Sequence, residues 1–268
     1  MSDPADAVLY DQTDRVVTLT LNRPDTRNAL SEDVVEALVA GLERADADAG
    51  VSCVVIAANG KGFSSGGNLK ELKALTKTER RTPEQVAQWY ETGIQRIPMA
   101  MRAVTVPTVA AVHGAAVGAG CDLTCMADIR IAAEDAVFAE SFIRVGLIPG
   151  DGGAWFLPRV VGPARAREML FTAAGIPAAK ALDWGLVSRV VPAADLLSEA
   201  QALAAEIASL PPQALRESKR LINACEHLSL EDGLAMAREM QGRLQQLDDH
   251  HEAIDAILEK RKPSFSGR

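Results

Sequence analysis

The chain has 268 residues, of which 48% are hydrophobic, 24% charged and only 4% aromatic, and it carries a net charge of −8. That length holds one large α/β domain or a core with a C-terminal extension. The acidic balance argues against nucleic acid as the main partner, because phosphate binding needs a basic surface.

In chain order, Val16–Leu21 is a β-rich run closed by the turn signal Asn22-Arg-Pro24. Ser31 stands where it can cap a helix whose Val34, Val35, Leu38, Val39 and Leu42 recur at helical spacing, with Glu32 and Asp33 in its first turn. Val51–Ala57 is a continuous apolar run, which reads as a buried strand. Asn68–Lys73 starts a helix, Lys77–Glu84 reads as a polar mobile loop, and Gln85–Val104 carries helical periodicity through Val86, Trp89, Ile94 and Ile97. A second buried strand leads to His113 and a helix over Ala116–Ala127, and Ile129–Ala132 and Ala136–Ala139 read as short strands. From Gly162 onward the pattern is mostly helical, with segments at 164–172, 178–184, 195–209, 212–226, 230–247 and 251–260. The reading is therefore an α/β core over residues 1–195, followed by a helical region over 196–268 used for covering or assembly.

The longest weakly apolar run, Ala103–Cys121, is broken by Pro107, His113 and several glycines, so no membrane span is expected. Cys53, Cys121, Cys125 and Cys225 lack the spacing of a metal site and read as reduced thiols of a cytoplasmic protein; no metal is expected. Met1–Asp6 has neither a basic nor an apolar leader region. Gly62-Phe-Ser-Ser-Gly66 fits the G-x-S-x-G pattern of a serine nucleophile elbow. Asn59–Gly62 separates it from the strand, however, and no histidine lies in a suitable late loop. Gly114–Gly120 lacks the G-x-G-x-x-G spacing of a dinucleotide site.

The chemistry-bearing stretch is Val109–Asp122: a buried strand, a glycine-rich turn, and a helix that opens close to a carboxylate. A backbone N–H at Ala119 would point from the positive end of that helix, a place suited to developing negative charge. Gly62–Asn68 is a second glycine-rich turn after a second strand, and Pro149-Gly-Asp-Gly-Gly153 adds a further acid in a loop. Two donor turns and nearby acids outline an oxyanion hole with acid/base groups.

At these motifs the chain resembles the crotonase, or enoyl-CoA hydratase/isomerase, superfamily. The matching segments are Leu21–Pro24 with Asn28–Leu30, Gly62–Lys70, His113–Leu123, Asp128–Arg130, Gly146–Pro149 with Gly152-Gly153, Leu157–Arg159, Ala181–Val187, and Glu259–Lys262 with Phe265. The resemblance implies a spiral of β-β-α repeats with a C-terminal helical trimerisation region. It also implies a trimer or dimer of trimers, and an acyl-CoA substrate whose coenzyme A is part of the thioester, with no separate cofactor. Its oxyanion donors would be the N–H groups of Gly67 and Ala119. Substrate and CoA contacts would fall at Arg27, Ser65, Gly66, Asn68, Leu69, Lys70 and Phe142, and a CoA-phosphate lysine at Lys260.

Hydratases of that superfamily bracket a water between two glutamates. Asp122 falls at the first position with a side chain shorter by about 1.5 Å, one C–C bond. The second position is Phe142, which can neither hold nor deprotonate water. Asp151 and Glu140 are the replacement candidates, although a strand glutamate such as Glu140 ordinarily sits in a salt bridge or in solvent. The resulting expectation is an enoyl-CoA hydratase, with double-bond isomerisation as the alternative and a non-catalytic binding protein on the same fold as a further one.

Overall fold

The computed structural model describes residues 7–268; the leader reading on Met1–Asp6 lies outside the described residues. The spine is a six-stranded sheet. Its strands are β1 (Val8–Thr13), β2 (Val16–Leu21), β3 (Cys53–Ala58), β4 (Thr108–Val112), β6 (Ile129–Ala133) and β9 (Arg189–Val191), paired in that order. β1 pairs antiparallel with β2, and every other neighbour in the sheet is parallel. Residues 53–57 and all of β4 are buried, as strands covered on both faces require, which is why they read as unbroken apolar runs. β1 escaped the sequence reading because Asp11, Gln12 and Thr13 lie exposed at the sheet edge.

A second, three-stranded sheet consists of β5 (Ala115–Val117), β7 (Val137–Ala139) and β8 (Ile176–Pro177). The chain visits the two sheets in alternation. β4, β5 and helix α5 (Ala119–Met126) form one turn of the spiral, and β6, β7 and helix α6 (Gly153–Val161) form the next. An earlier turn runs from β3 through a bridge between Ser64 and Ala116 to helix α2 (Leu69–Lys73). This is a spiral of β-β-α repeats.

Helix α1 (Glu32–Ala47) buries Val34, Val35, Leu38, Val39, Leu42 and Ala45 against one face of the large sheet. Ser31 sits at its N-cap, but its hydroxyl bonds the Asp33 carboxylate and caps no backbone N–H. The opposite face of the sheet is covered by helix α9 (Leu196–Ala208). Its Leu196, Ala200, Ala204 and Ala208 pack on Val55, Val109, Ala111 and Ile131. Small alanines let this helix lie close to the strands.

Several boundaries differ from the sequence reading. The expected loop at 77–84 is shorter. Residues 74–78 continue α2 as a wide π-helical turn, and Thr82 with Gln85 forms a capping box that starts helix α3 (Pro83–Thr92). The single helix read over 85–104 is two helices, α3 and α4 (Arg96–Ala103), parted at 93–95. The helix read from Ala116 begins only at Ala119, because Ala115–Val117 joins the small sheet. Helix α6 was missed; its Pro158 and flanking glycines hide the helical period. β8 falls between helices α7 (Pro163–Thr172) and α8 (Ala178–Asp183), and β9 after α8, in gaps between the helical segments that the sequence left unassigned.

The C-terminal helices are α10 (Pro212–Cys225), α11 (Leu230–Leu244) and α12 (Asp248–Glu259). α10 is fastened to the core by two largely buried cations. The Arg216 guanidinium donates to the Asp46 carboxylate at 2.8 Å, to the Thr105 hydroxyl at 2.7 Å and to the carbonyls of Asp46, Asp48 and Val51. Lys219 Nζ donates to Asp128 at 2.7 Å and to the Val106 carbonyl at 3.0 Å. Such cations are tolerated in the interior because each is paired with a carboxylate and bonded to backbone carbonyls.

Candidate active site

The loop after β3 is held open by a buried asparagine. Asn28, in the left-handed region with φ 51°, donates through Nδ2 to the carbonyls of Asn59 and Gly62. Ser64 donates its hydroxyl to the Asn28 carbonyl at 2.7 Å and accepts the Gly66 N–H at 3.1 Å. Gly66 has φ 82°, and a Cβ there would lie 2.4 Å from the Val117 carbonyl oxygen and 3.1 Å from the Ala119 nitrogen. Only glycine allows this approach. The result places the Gly67 turn beside the first turn of α5.

Gly118 anchors that first turn, donating its N–H to the Ala139 carbonyl at 2.7 Å. Ala119, the first residue of α5, has a backbone N–H that the helix leaves without a partner. Among the described residues the Gly67 N–H also has no hydrogen-bond partner. Both residues line a cavity of about 900 Å³.

The cavity lining is mixed in chemistry: it includes the polar residues Asp25, Arg27, Asn59, Lys61 and Ser65 and the apolar or aromatic residues Leu72, Trp89, Tyr90, Ile94, Phe142 and Leu147. Arg27, Ser65, Gly67, Asn68, Leu69, Ala119, Phe142 and Asp151 all line it. Asn68 also works structurally, accepting the Lys70 N–H as the cap of α2. The structure does not bring the other expected residues to this wall. Gly66 lies buried behind it, and Lys70 is exposed outside it. Lys260 is the exposed, left-handed cap of α12, away from the cavity of its own chain.

The three acids fall into one buried group, and only Asp151 reaches the cavity wall. Asp122 and Glu140 are fully buried, and Asp151 is 6% exposed. Both oxygens of Asp122, both of Glu140 and Oδ1 of Asp151 have no hydrogen-bond donor. Glu140 therefore departs from the ordinary strand glutamate: it has neither salt bridge nor solvent. Asp122 is pressed against α6, since a Cβ on Gly153 would sit 1.9 Å from its Oδ1. Burial is the main cause of the raised proton affinity of all three; the charges of Glu140 and Asp151 add to it for Asp122, and those of Cys125 and Asp151 add to it for Glu140, against a lowering by Cys121 and Asp122. Asp151 is pushed up to about 6, Glu140 to about 8, and Asp122 well above the usual carboxylate range.

Sequence reasoning took Trp89 only as an apolar position of a helix and did not name Tyr90. Tyr90 faces Asp151, and burial followed by that acid's charge raises its hydroxyl. Gln95, just past α3, donates to the Gly150 carbonyl at 2.9 Å and ties this wall to the Asp151 loop. An adjacent Trp-Tyr pair in an otherwise polar helix was the available signal. His113 bonds the Gly60 carbonyl, a structural role, and Trp155 lies outside the cavity with the Arg159 guanidinium 3.8 Å from its ring centre.

A spiral β-β-α fold whose cavity is lined by two free N–H groups and an acid has the parts of a site that can stabilise an oxyanion. The model of the enoyl-CoA hydratase/isomerase family matches residues 11–268, and the chain belongs to that family. It is 37% identical to the 2,3-dehydroadipyl-CoA hydratase of Escherichia coli over 97% of this chain and 99% of that protein. A Mycobacterium tuberculosis protein named a probable enoyl-CoA hydratase is 36% identical over 98% of this chain and 99% of its own. The solved structure of an enoyl-CoA hydratase from Bacillus anthracis superposes with a TM-score of 0.89 at 32% identity, covering 98% of this chain and all of that one.

Proposed function

We propose that the chain hydrates a 2-enoyl-CoA through a thioester enolate. The N–H groups of Gly67 and Ala119 bind the thioester oxygen, and coenzyme A enters as part of the substrate. Donors fixed in advance are worth most where charge develops, and losing one costs about 10²–10³ in rate. Asp151 moves the proton: its carboxylate takes one from water as oxygen adds to C3, and the same group returns it to C2 of the enolate. The observation that carries this reading is that Asp151, with an ionisation near 6, lines the same cavity as those two N–H groups.

One observation favours a second reaction. Phe142 lines the cavity at the position where the superfamily's hydratases carry their second glutamate. An apolar ring there excludes water, which suits removal of a proton from C2 of a 3-enoyl-CoA and its return to C4 by the same Asp151. A panel of 2-enoyl-, 3-enoyl- and dienoyl-CoA substrates, followed by absorbance and mass, separates the two, because only hydration adds the mass of water. No change in any acyl-CoA at high enzyme concentration refutes both and leaves the binding-protein alternative.

Assembly belongs to the same proposal. Leu230 and Leu234 of α11 and Ile257 and Leu258 of α12 are 80%, 59%, 76% and 75% exposed, a large apolar surface for a lone chain. We assign it to contacts in a trimer or dimer of trimers, in which Lys260 reaches the CoA phosphate of a neighbour. Light scattering showing a monomer at micromolar concentration refutes this. Among the described residues no helix is long and apolar enough to cross a membrane; a cytoplasmic site of action is part of this reading.

A further inference from the structure

The three buried acids pose an electrostatic problem that the reaction alone does not answer. No lysine, arginine or histidine forms an ion pair or hydrogen bond with Asp122, Glu140 or Asp151 among the described residues. Five of their six carboxyl oxygens are buried without a donor. Ionised carboxylates only accept, so two that face one another cannot bond. A proton on one turns the pair into donor and acceptor. Three negative charges in one dry space would repel strongly, and protons remain on the groups furthest from solvent.

The fold says which groups those are. Glu140 directly follows β7, one residue past the carbonyl that anchors Gly118 beside the Ala119 donor. Asp122 and Cys121, on the first turn of α5, are its polar neighbours, and Cys125 lies one helical turn further. From α6 the Gly153 backbone faces Asp122, and from α3 Tyr90 faces Asp151. Every group facing the cluster is thus neutral or another acid. Phe142, two residues beyond Glu140, lines the cavity.

We propose that Glu140 is a positioning residue for proton transfer: it stays neutral beside a protonated Asp122 behind the cavity and so leaves Asp151 the single ionised carboxylate of the cluster. The missing cavity-wall glutamate is replaced from behind, by an acid that never touches substrate. This rests on the assignment of Asp151 under the enoyl-CoA reading. Ionising Glu140 places a second negative charge near the enolate and beside Asp151, which works against the reaction. Activity then rises as Asp151 ionises near pH 6 and falls as Glu140 ionises near pH 8.

Two measurements test the proposal on the whole protein. Infrared spectra taken across this range follow the carbonyl stretch of protonated carboxyl groups and need no substrate. The proposal expects a band that disappears near pH 8 and is missing in Glu140→Gln. The second is the pH profile of kcat on whichever acyl-CoA is turned over. Glu140→Gln should lower kcat several-fold at neutral pH, keep the acidic limb and lose the alkaline one. A purely structural role would reduce stability and leave both limbs in place. The proposal is overturned by a parent protein with no such band, or by an intact alkaline limb in Glu140→Gln. Should that variant not fold, the infrared titration of the parent decides alone. A protein inert to every acyl-CoA but showing the band refutes the enoyl-CoA reading, not the protonation of Glu140.

Discussion

Gly153→Ala tests how the acids are held. A Cβ at this position would lie 1.9 Å from Asp122 Oδ1, 2.6 Å from its Cγ and 2.9 Å from Oδ2. The shortest of these is roughly 1.5 Å inside the separation of about 3.5 Å at which non-bonded atoms attract. Asp122 is fully buried, so its carboxyl has no solvent to move into. Either α6 retreats from α5 or the aspartate leaves its rotamer. Overpacking of this kind costs about 1–3 kcal/mol, read as a lower urea midpoint at unchanged slope. Because Asp151 is two residues upstream, kcat should fall as well. Gly150→Ala is the control: its nearest contact would be the Ile148 carbonyl at 3.8 Å, and it should change stability by less than about 0.5 kcal/mol. Adding Asp122→Ala to Gly153→Ala removes the obstruction, so the pair should be coupled by about 1 kcal/mol or more in a double-mutant cycle. A Gly153→Ala protein as stable as its parent, or additive behaviour in the cycle, refutes the packing argument.

Asp151→Asn should lower kcat by roughly 10²–10⁴ with little loss of fold, and the parent's kcat/KM should fall below about pH 6 as Asp151 is protonated, in a steady-state pH series. Arg216→Ala removes the cation that satisfies Asp46 and three carbonyls, and should cost about 3 kcal/mol in urea unfolding, with α10 the first element to lose amide protection. Stability itself should fall with rising pH between about 4 and 8. All three buried acids bind protons more tightly folded than unfolded, so their contribution is complete below the unfolded values and is lost as pH rises through the folded ones. Urea midpoints that rise over this interval contradict the protonated cluster.

The parts of the site legible in the sequence are those that local chemistry dictates. Gly66 and the turn into α5 could be read because close backbone approach admits few residues, and β3 and β4 because two-sided burial leaves an unbroken apolar run. Asp151 was legible as an acid in a rigid Pro-Gly loop. Trp89 and Tyr90 were not, because their helix is polar along most of its length and only tertiary packing turns that pair toward the cavity. The depth of Asp122 and Glu140 was equally hidden. Each has an ordinary local reason to be solvated, and both lose solvent only in the tertiary packing, in which α6 closes over α5 at Asp122.

That closure links two departures that look independent along the chain. Phe142 takes a carboxylate from the cavity wall, and Glu140, two residues earlier, leaves one behind it without a partner. An unpaired buried carboxyl is costly, and the simplest stabilising change would be an apolar residue at 140. Retaining the acid there, facing only other acids and thiols, goes against packing and against electrostatics. Such conflicts collect where a function needs them. A site with one cavity-facing acid needs that acid ionised and its neighbours neutral, and a protonated Glu140 meets the condition without exposing a second carboxyl to the acyl group. The ring of Phe142 then keeps water from the cluster, which keeps Glu140 protonated. On this argument, Phe142→Ala should admit water behind the cavity and move the alkaline limb below its parent position near pH 8. An alkaline limb unmoved by Phe142→Ala would separate the two departures again.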